Sequence, residues 1–92
     1  MFICQGGLNM QNSKKYLEIV YRDFPDENVV SLFTFNGDVY CVISDGPMDD
    51  NNLAVAGLIF KRNEFMFYPS FWKNMIQDKF FRRAYENGRL NN

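Results

Sequence analysis

Basic and aromatic side chains alternate near the C-terminus, in the stretch KFFRRAY over residues 79–85. Arginine and aromatic side chains often dominate the affinity of protein interfaces. The same residues could contact phosphates and stack on bases, which is the chemistry of nucleic-acid binding. A structural interpretation stays open, because basic residues in the last helical turns also complement the helix dipole. The candidate partner-binding residues are Trp72, Lys79, Phe80, Phe81, Arg82, Arg83 and Tyr85.

A second candidate site is the acidic stretch DGPMDDNN over residues 45–52. Its carboxylates and amides are the hard oxygen ligands that Ca²⁺ or Mg²⁺ would take. The spacing does not match an EF-hand loop, which places donors at alternate positions and ends on a glutamate. We therefore expect no metal and predict a solvated connection. The remaining interpretation is an acidic patch, formed by Asp45, Asp49 and Asp50, that meets a basic partner.

Catalysis finds little support, because the chain contains no histidine. Histidine is the most common general base, and the thiol of Cys41 would have no neighbouring base to activate it in its apolar run. No glycine-rich phosphate loop occurs either. Cys4 and Cys41 are too few for a disulfide framework and lack the spacing of a metal knuckle. We predict a protein without enzymatic activity or cofactor, with reduced thiols, in the cytoplasm.

Length and composition predict a single folded domain of 92 residues, 47% of them hydrophobic and only 23% charged. The net charge of -1 conceals a division along the chain. Residues 1–60 hold eight acidic and three basic side chains, and residues 61–92 hold three acidic and seven basic ones. We expect no signal peptide, because the start of the sequence has no basic region and only a very short apolar stretch. We expect no membrane span, because no stretch approaches the roughly 20 apolar residues that crossing requires.

The elements that must position these residues begin after residues 1–12, which we predict to be a flexible N-terminal arm or a short edge element. The domain proper is predicted to span residues 13–92. A helix is predicted to start at its N-cap Ser13 and to be stopped by Pro25, because a proline keeps the residue before it out of the helical region. Its apolar stripe has the spacing i, i+3, i+4, i+7 and consists of Leu17, Val20, Tyr21 and Phe24.

Two hairpins follow. Residues 29–35 and 39–44 are β-branched and aromatic runs, and the Asn36-Gly37 turn between them favours a type I′ hairpin. Residues 53–60 and 65–68 form the second pair. A last helix is predicted from the N-cap Ser70 to the stop at Gly88, with its second half exposed. The fold class is therefore α+β: a two-layer domain with a four-stranded antiparallel meander flanked by an N-terminal and a C-terminal helix.

Both faces of the predicted sheet are apolar, whereas a sheet covered on one side alternates apolar with polar residues. Either each helix covers one face, or both share one face and the other needs a partner or a second copy. The leading hypothesis is a small protein-interaction module, an inhibitor, adaptor or regulator that acts by occlusion, with a homodimer and a phage setting as suggestions. The alternatives are a nucleic-acid-binding domain using the C-terminal helix and a small-ligand sensor domain.

Overall fold

A computed structural model describes residues 6–7, 10–44, 55–68 and 71–90. The elements in chain order are β1 (Gly6–Gly7), α1 (Met10–Asp23), β2 (Asn28–Phe35), β3 (Asp38–Ser44), β4 (Val55–Lys61), β5 (Glu64–Tyr68), α2 (Phe71–Met75) and α3 (Lys79–Asn87). The strands form one antiparallel sheet in the order β1-β2-β3-β4-β5. The predicted α+β fold with a four-stranded meander between N-terminal and C-terminal helices is confirmed.

Both hairpins close through two-residue turns with left-handed backbone. Asn36 and Gly37 have φ of 51° and 85°, and Arg62 and Asn63 have φ of 51° and 67°. Positive φ at both central positions defines the type I′ turn, whose twist matches that of the strands it joins. The asparagine and glycine of the first turn adopt this backbone easily, whereas Arg62 is an uncommon residue for it.

The helices lie on opposite faces of the sheet. On one face α1 packs over a cluster of buried residues that contains Val20, Val29, Leu32, Cys41, Ile43, Leu58 and Phe65. On the other face α2 and α3 cover Val30, Phe33, Phe35, Tyr40 and Val42. The sheet is therefore the middle of three layers, not one of two. Helices on both sides explain why the strands carry apolar side chains on both faces. The alternative, in which both helices share one face, is wrong for the residues of these two clusters.

Helix α1 begins at Met10, three residues before the predicted start at Ser13. It ends at Asp23, as expected if Pro25 keeps Phe24 out of the helix. Its buried stripe differs from the predicted one, because the side chain of Tyr21 is 47% exposed. Tyr16 packs against the sheet instead, with its ring centroid 4.9 Å from that of Phe60.

The prediction of one continuous C-terminal helix is wrong, because the structure has two helices, α2 and α3, in its place. The predicted end at Gly88 is confirmed. Beyond Gly88 the chain returns to the outer edge of β2, where the Leu90 amide donates to the Val30 carbonyl at 2.9 Å. Strand β1 pairs with the same edge one step further along, opposite Phe33 and Thr34. The two ends of the described chain thus cover the β2 edge of the sheet.

The predicted N-terminal arm is described only in part. Gly6–Gly7 is strand β1, and residues 10–12 belong to α1. The remaining arm residues lie outside the described ranges, so their flexibility stays a prediction.

Candidate functional site

Helix α3 starts where Asp78 caps it. The Asp78 carboxylate accepts hydrogen bonds from the backbone amides of Phe80 at 2.8 Å and Phe81 at 3.1 Å. These amides have no partner within a helix, so a carboxylate at the N-cap stabilises the new helix start. Just before it, α2 ends in a turn closed by the Asp78 amide donating to the Met75 carbonyl at 3.0 Å. Asp78 therefore fixes the direction in which α3 leaves the turn.

Phe81 anchors α3 on the sheet. Its ring lies edge-on to those of Phe33 and Phe35, each at a centroid distance of 5.2 Å, and to that of Tyr40 at 5.3 Å. Edge-to-face ring pairs add to the free energy gained from burying their apolar area. The Ser31 hydroxyl adds a polar tie, since it donates to the backbone carbonyl of Tyr85 at 2.8 Å. One side of α3 is thus packed against the sheet and tied to it by a hydrogen bond.

Three of the predicted binding residues belong to this core. Trp72, Phe81 and Tyr85 are only 2%, 0% and 4% exposed. The predicted exposure of the second helical half is therefore wrong for Phe81 and Tyr85, and none of the three side chains can reach a partner of the folded chain. The physical reason is the break at Asp78, which turns the 81, 84, 85 side of α3 towards the sheet. Burial also raises the pKa of Tyr85.

The other four predicted residues, Lys79, Phe80, Arg82 and Arg83, are exposed on α3. We call them the basic face of α3. At 100° per residue, Lys79 and Arg83 lie near the centre of the exposed side, with Arg82 on one flank and Phe80 on the other. Phe80 is 59% exposed, and the Lys79 ammonium lies 5.3 Å from the centroid of its ring.

The basic face has a surplus of positive charge. Within the described ranges, no carboxylate lies at ion-pair distance from Lys79, Arg82 or Arg83. Glu86 pairs instead with Arg89, at 3.8 Å between Oε2 and Nη1. With Arg89, this side of α3 carries four basic side chains and one acidic one. The side facing away from the sheet can therefore attract a negatively charged surface.

The acidic patch predicted from Asp45, Asp49 and Asp50 lies outside the described residues and stays a prediction. Among the described acidic residues, Asp23 accepts from the adjacent Arg22 side chain at 3.0 Å. This hydrogen bond lowers the pKa of the exposed Asp23 carboxyl. Both side chains face solvent, so the pair adds little stability.

Sequence reasoning missed an exposed apolar pair on β5. Met66 is 42% and Phe67 is 49% exposed. The signal was present in the run FMFY, which has no polar position although it belongs to the last strand of the sheet. The strand order of a simple meander places this last strand at the edge of the sheet, where its outward apolar side chains are exposed.

The remaining chemical possibilities find little support in the described structure. Cys41 is buried in the core, where loss of solvation raises the pKa of its thiol to about 12. Such a thiol carries almost no thiolate at neutral pH and is a poor nucleophile. No three potential metal-binding side chains come together in the described ranges. None of the described helices is long and apolar enough to cross a membrane.

The sensor hypothesis requires a ligand pocket. One groove among the described residues runs along the outer side of α1, where Ser13, Leu17 and Tyr21 are among its lining residues. All its described lining residues belong to that one helix. Ligand pockets usually enclose their ligand between several elements, so this groove lends the sensor hypothesis no support.

Comparisons of the chain with models of protein families, with curated proteins and with solved structures found no match. The function must therefore be inferred from the surfaces of the molecule itself.

Proposed function

We propose that this chain is a non-enzymatic protein-interaction module whose basic face of α3 binds an acidic surface on a partner protein. The observation that carries the proposal is the presentation of Phe80 beside three cations that form no ion pair with any described residue, on a helix whose other side packs against the sheet. Binding would regulate the partner by covering its surface, because no chemistry is required of this chain.

The basic face combines the two ingredients of a binding hot spot. Burying the exposed part of Phe80 would contribute about 1 to 2 kcal/mol from its apolar area. Arg82 and Arg83 can each form paired hydrogen bonds with a carboxylate, which adds specificity as well as attraction. Since the helix is already ordered, little conformational entropy is lost on binding.

A protein partner is favoured over nucleic acid by the burial of the rings. The nucleic-acid hypothesis required several aromatic rings of the KFFRRAY stretch to stack on bases. Phe81 and Tyr85 lie in the core, however, and only Phe80 of this stretch exposes its ring. Three cations alone would give nucleic-acid binding that is weak at physiological salt, because phosphate contacts lose affinity steeply as salt displaces them. The experiment must therefore distinguish binding of a protein partner from binding of nucleic acid.

The test compares two charge reversals of equal size. Arg82→Glu with Arg83→Glu changes the basic face, and Lys14→Glu with Lys15→Glu makes the same change on two exposed residues of α1. Each variant is used to capture proteins from a nuclease-treated host extract, and captured proteins are then purified and titrated individually. A supporting result is a partner with an acidic surface whose affinity falls tenfold or more for the α3 reversal and for Phe80→Ala, but not for the α1 reversal.

Two results would contradict the proposal. One is a purified partner whose affinity responds equally to the two charge reversals, which would indicate general charge attraction. The other is that the unaltered chain binds a single-stranded oligonucleotide in a salt-sensitive way and that the α3 reversal abolishes this binding, while no protein partner depends on the same residues.

A further inference from the structure

Strand β5 ends the sheet with no described neighbour on its outer side. The opposite edge of the sheet, on β2, is covered by β1 and by the segment after Gly88. An uncovered edge presents unpaired backbone amides and carbonyls that can pair with another strand. The two edges of the described sheet are therefore not equivalent.

The outward-pointing backbone groups of β5 follow from its hairpin register. Lys61 pairs with Glu64 across the two-residue turn, and in such hairpins the pair next to the turn exchanges hydrogen bonds. Because antiparallel ladders alternate, the amides and carbonyls of Phe65 and Phe67 point away from β4. They lie at equal distances on either side of Met66.

The side chains of β5 lack the usual protection of an edge. Natural edges carry charges, prolines or bulges that discourage pairing. Between Glu64 and Tyr68 the strand contains only Phe65, Met66 and Phe67, and its register with β4 has no bulge. Met66 and Phe67 point to opposite sides of the sheet and are 42% and 49% exposed. Apolar side chains on both sides suit a strand that continues into a second sheet.

We propose that β5 pairs antiparallel with β5 of a second copy of this chain, with the two-fold axis at Met66. In this register Phe65 of each copy lies opposite Phe67 of the other, so that their outward amides and carbonyls form four intermolecular hydrogen bonds. The two Met66 side chains meet on the axis, as a close pair on the face covered by α2 and α3. The result is one continuous sheet through both copies.

Charge complementarity selects a second copy as the occupant. The Lys61 ammonium lies 5.8 Å from the centroid of the Tyr68 ring of its own chain. In the proposed register Glu64 of one copy lies opposite Tyr68 of the other, on the same face of the sheet. Each Glu64 carboxylate therefore comes close to a Lys61 ammonium of the other copy, and symmetry gives two such pairs. Neither Lys61 nor Glu64 has an ion-pair partner within the described ranges.

The experiment measures self-association of the full chain by sedimentation equilibrium, from about 1 μM to about 1 mM, the range in which small interfaces dissociate. We expect a reversible dimer of twice the 10.9 kDa chain mass. Met66→Lys places two ammonium groups on the axis and should raise the dissociation constant by about tenfold or more. Phe80→Lys is the matched control, because it introduces the same group at another exposed apolar residue and should leave the dimer intact.

Charge exchange tests the register. Glu64→Lys and Lys61→Glu should each weaken the dimer, and the double variant should recover it, because the exchange restores opposite charges across the interface. Hydrogen exchange of the unaltered chain gives a readout that no substitution can disturb. The amides of Phe65 and Phe67 should exchange several-fold more slowly at high protein concentration than at low concentration.

A chain that stays monomeric throughout the concentration range would overturn the proposal. So would a dimer that Met66→Lys leaves unchanged, or Phe65 and Phe67 amides that are protected equally at all concentrations. The last result would mean that another segment of the same chain covers β5. A stable complex with a different protein at this edge, formed by a chain that does not self-associate, would likewise replace the second copy as occupant.

Discussion

Replacing Gly88 with alanine should destabilise the protein, although its backbone conformation is open to any residue. Gly88 has φ of −92°, so alanine would meet no conformational penalty there. The obstacle is the neighbouring strand. A Cβ atom at this position would lie 2.5 Å from the Leu32 carbonyl oxygen and 2.6 Å from the Phe33 Cβ. Neither atom is the end of a flexible side chain, so the chain after α3 must move.

The size of the effect follows from that movement. Ordinary contacts between non-bonded atoms begin at about 3.5 Å, so the segment must withdraw by roughly 1 Å. The withdrawal weakens the hydrogen bond from the Leu32 amide to the Gly88 carbonyl, now 3.1 Å, at a cost of about 1 kcal/mol. Overpacking beside Phe33 adds about 1 to 3 kcal/mol. We expect the free energy of unfolding to fall by about 2 to 4 kcal/mol, against a total of roughly 5 to 14 kcal/mol for a chain of this length.

Urea denaturation followed by tryptophan fluorescence measures this change, because Trp72 is the only tryptophan and is buried. Gly37→Ala is the comparison, since Gly37 has open space around its missing side chain but a φ of 85°. That variant should lose about 1 kcal/mol, and Gly37→Asn should lose less, because asparagine tolerates left-handed backbone. A Gly88→Ala chain that is as stable as the unaltered chain, or more stable, would refute a steric clash at this position. A gain of about 0.4 to 1 kcal/mol is what glycine-to-alanine replacement gives where the side chain fits.

Other variants probe single contacts with the same assay. Asp78→Ala should cost about 1 kcal/mol through loss of the α3 cap, and Asp78→Asn much less, because asparagine caps equally well. Phe81→Ala should cost about 3 to 5 kcal/mol and Phe80→Ala less than about 0.5 kcal/mol, since only the first ring is buried. The raised pKa of Cys41, about 12 against an ordinary 9.0, means that the folded state holds a proton that the unfolded state releases above pH 9. The free energy of unfolding should therefore fall with pH between about 9 and 12, by up to about 1.4 kcal/mol per pH unit, and Cys41→Val should lessen the slope.

The strands and turns could be predicted because their signals are local. The Asn36-Gly37 turn and the β-branched runs beside it determine the first hairpin without reference to the rest of the chain. The Pro25 stop acts on its immediate neighbour in the same way. What these signals leave open is the side of the sheet on which each helix lies. That choice depends on the summed packing of distant residues, such as Val20 on one face and Phe81 on the other.

The proposed binding surface could be predicted only in part, and the reason is one residue. With a continuous last helix, Phe81 and Tyr85 lie outside the main apolar arc and are predicted to be exposed. The structure instead starts a new helix at Asp78, whose carboxylate caps it, and the break shifts the buried side onto these two rings. Aspartate is a favoured N-cap, so the signal existed in the sequence, but the apolar pattern around it outweighed it. Lys79, Arg82 and Arg83 stayed exposed because burying unpaired cations is costly.

The two proposed surfaces also constrain each other through the order of the strands. Helix α3 packs against β1 and β2, at the far side of the sheet from β5. A dimer joined at β5 would therefore hold two copies of β2 about seven strand spacings apart, or roughly 33 Å. Both basic faces would lie on the same side of the joined sheet, because a two-fold axis perpendicular to a sheet preserves its faces. Such a dimer suits a partner with repeated acidic sites, and its avidity would be lost in Met66→Lys even though the basic face is unchanged. An affinity for a repetitive partner that survives this substitution would mean that each chain binds alone.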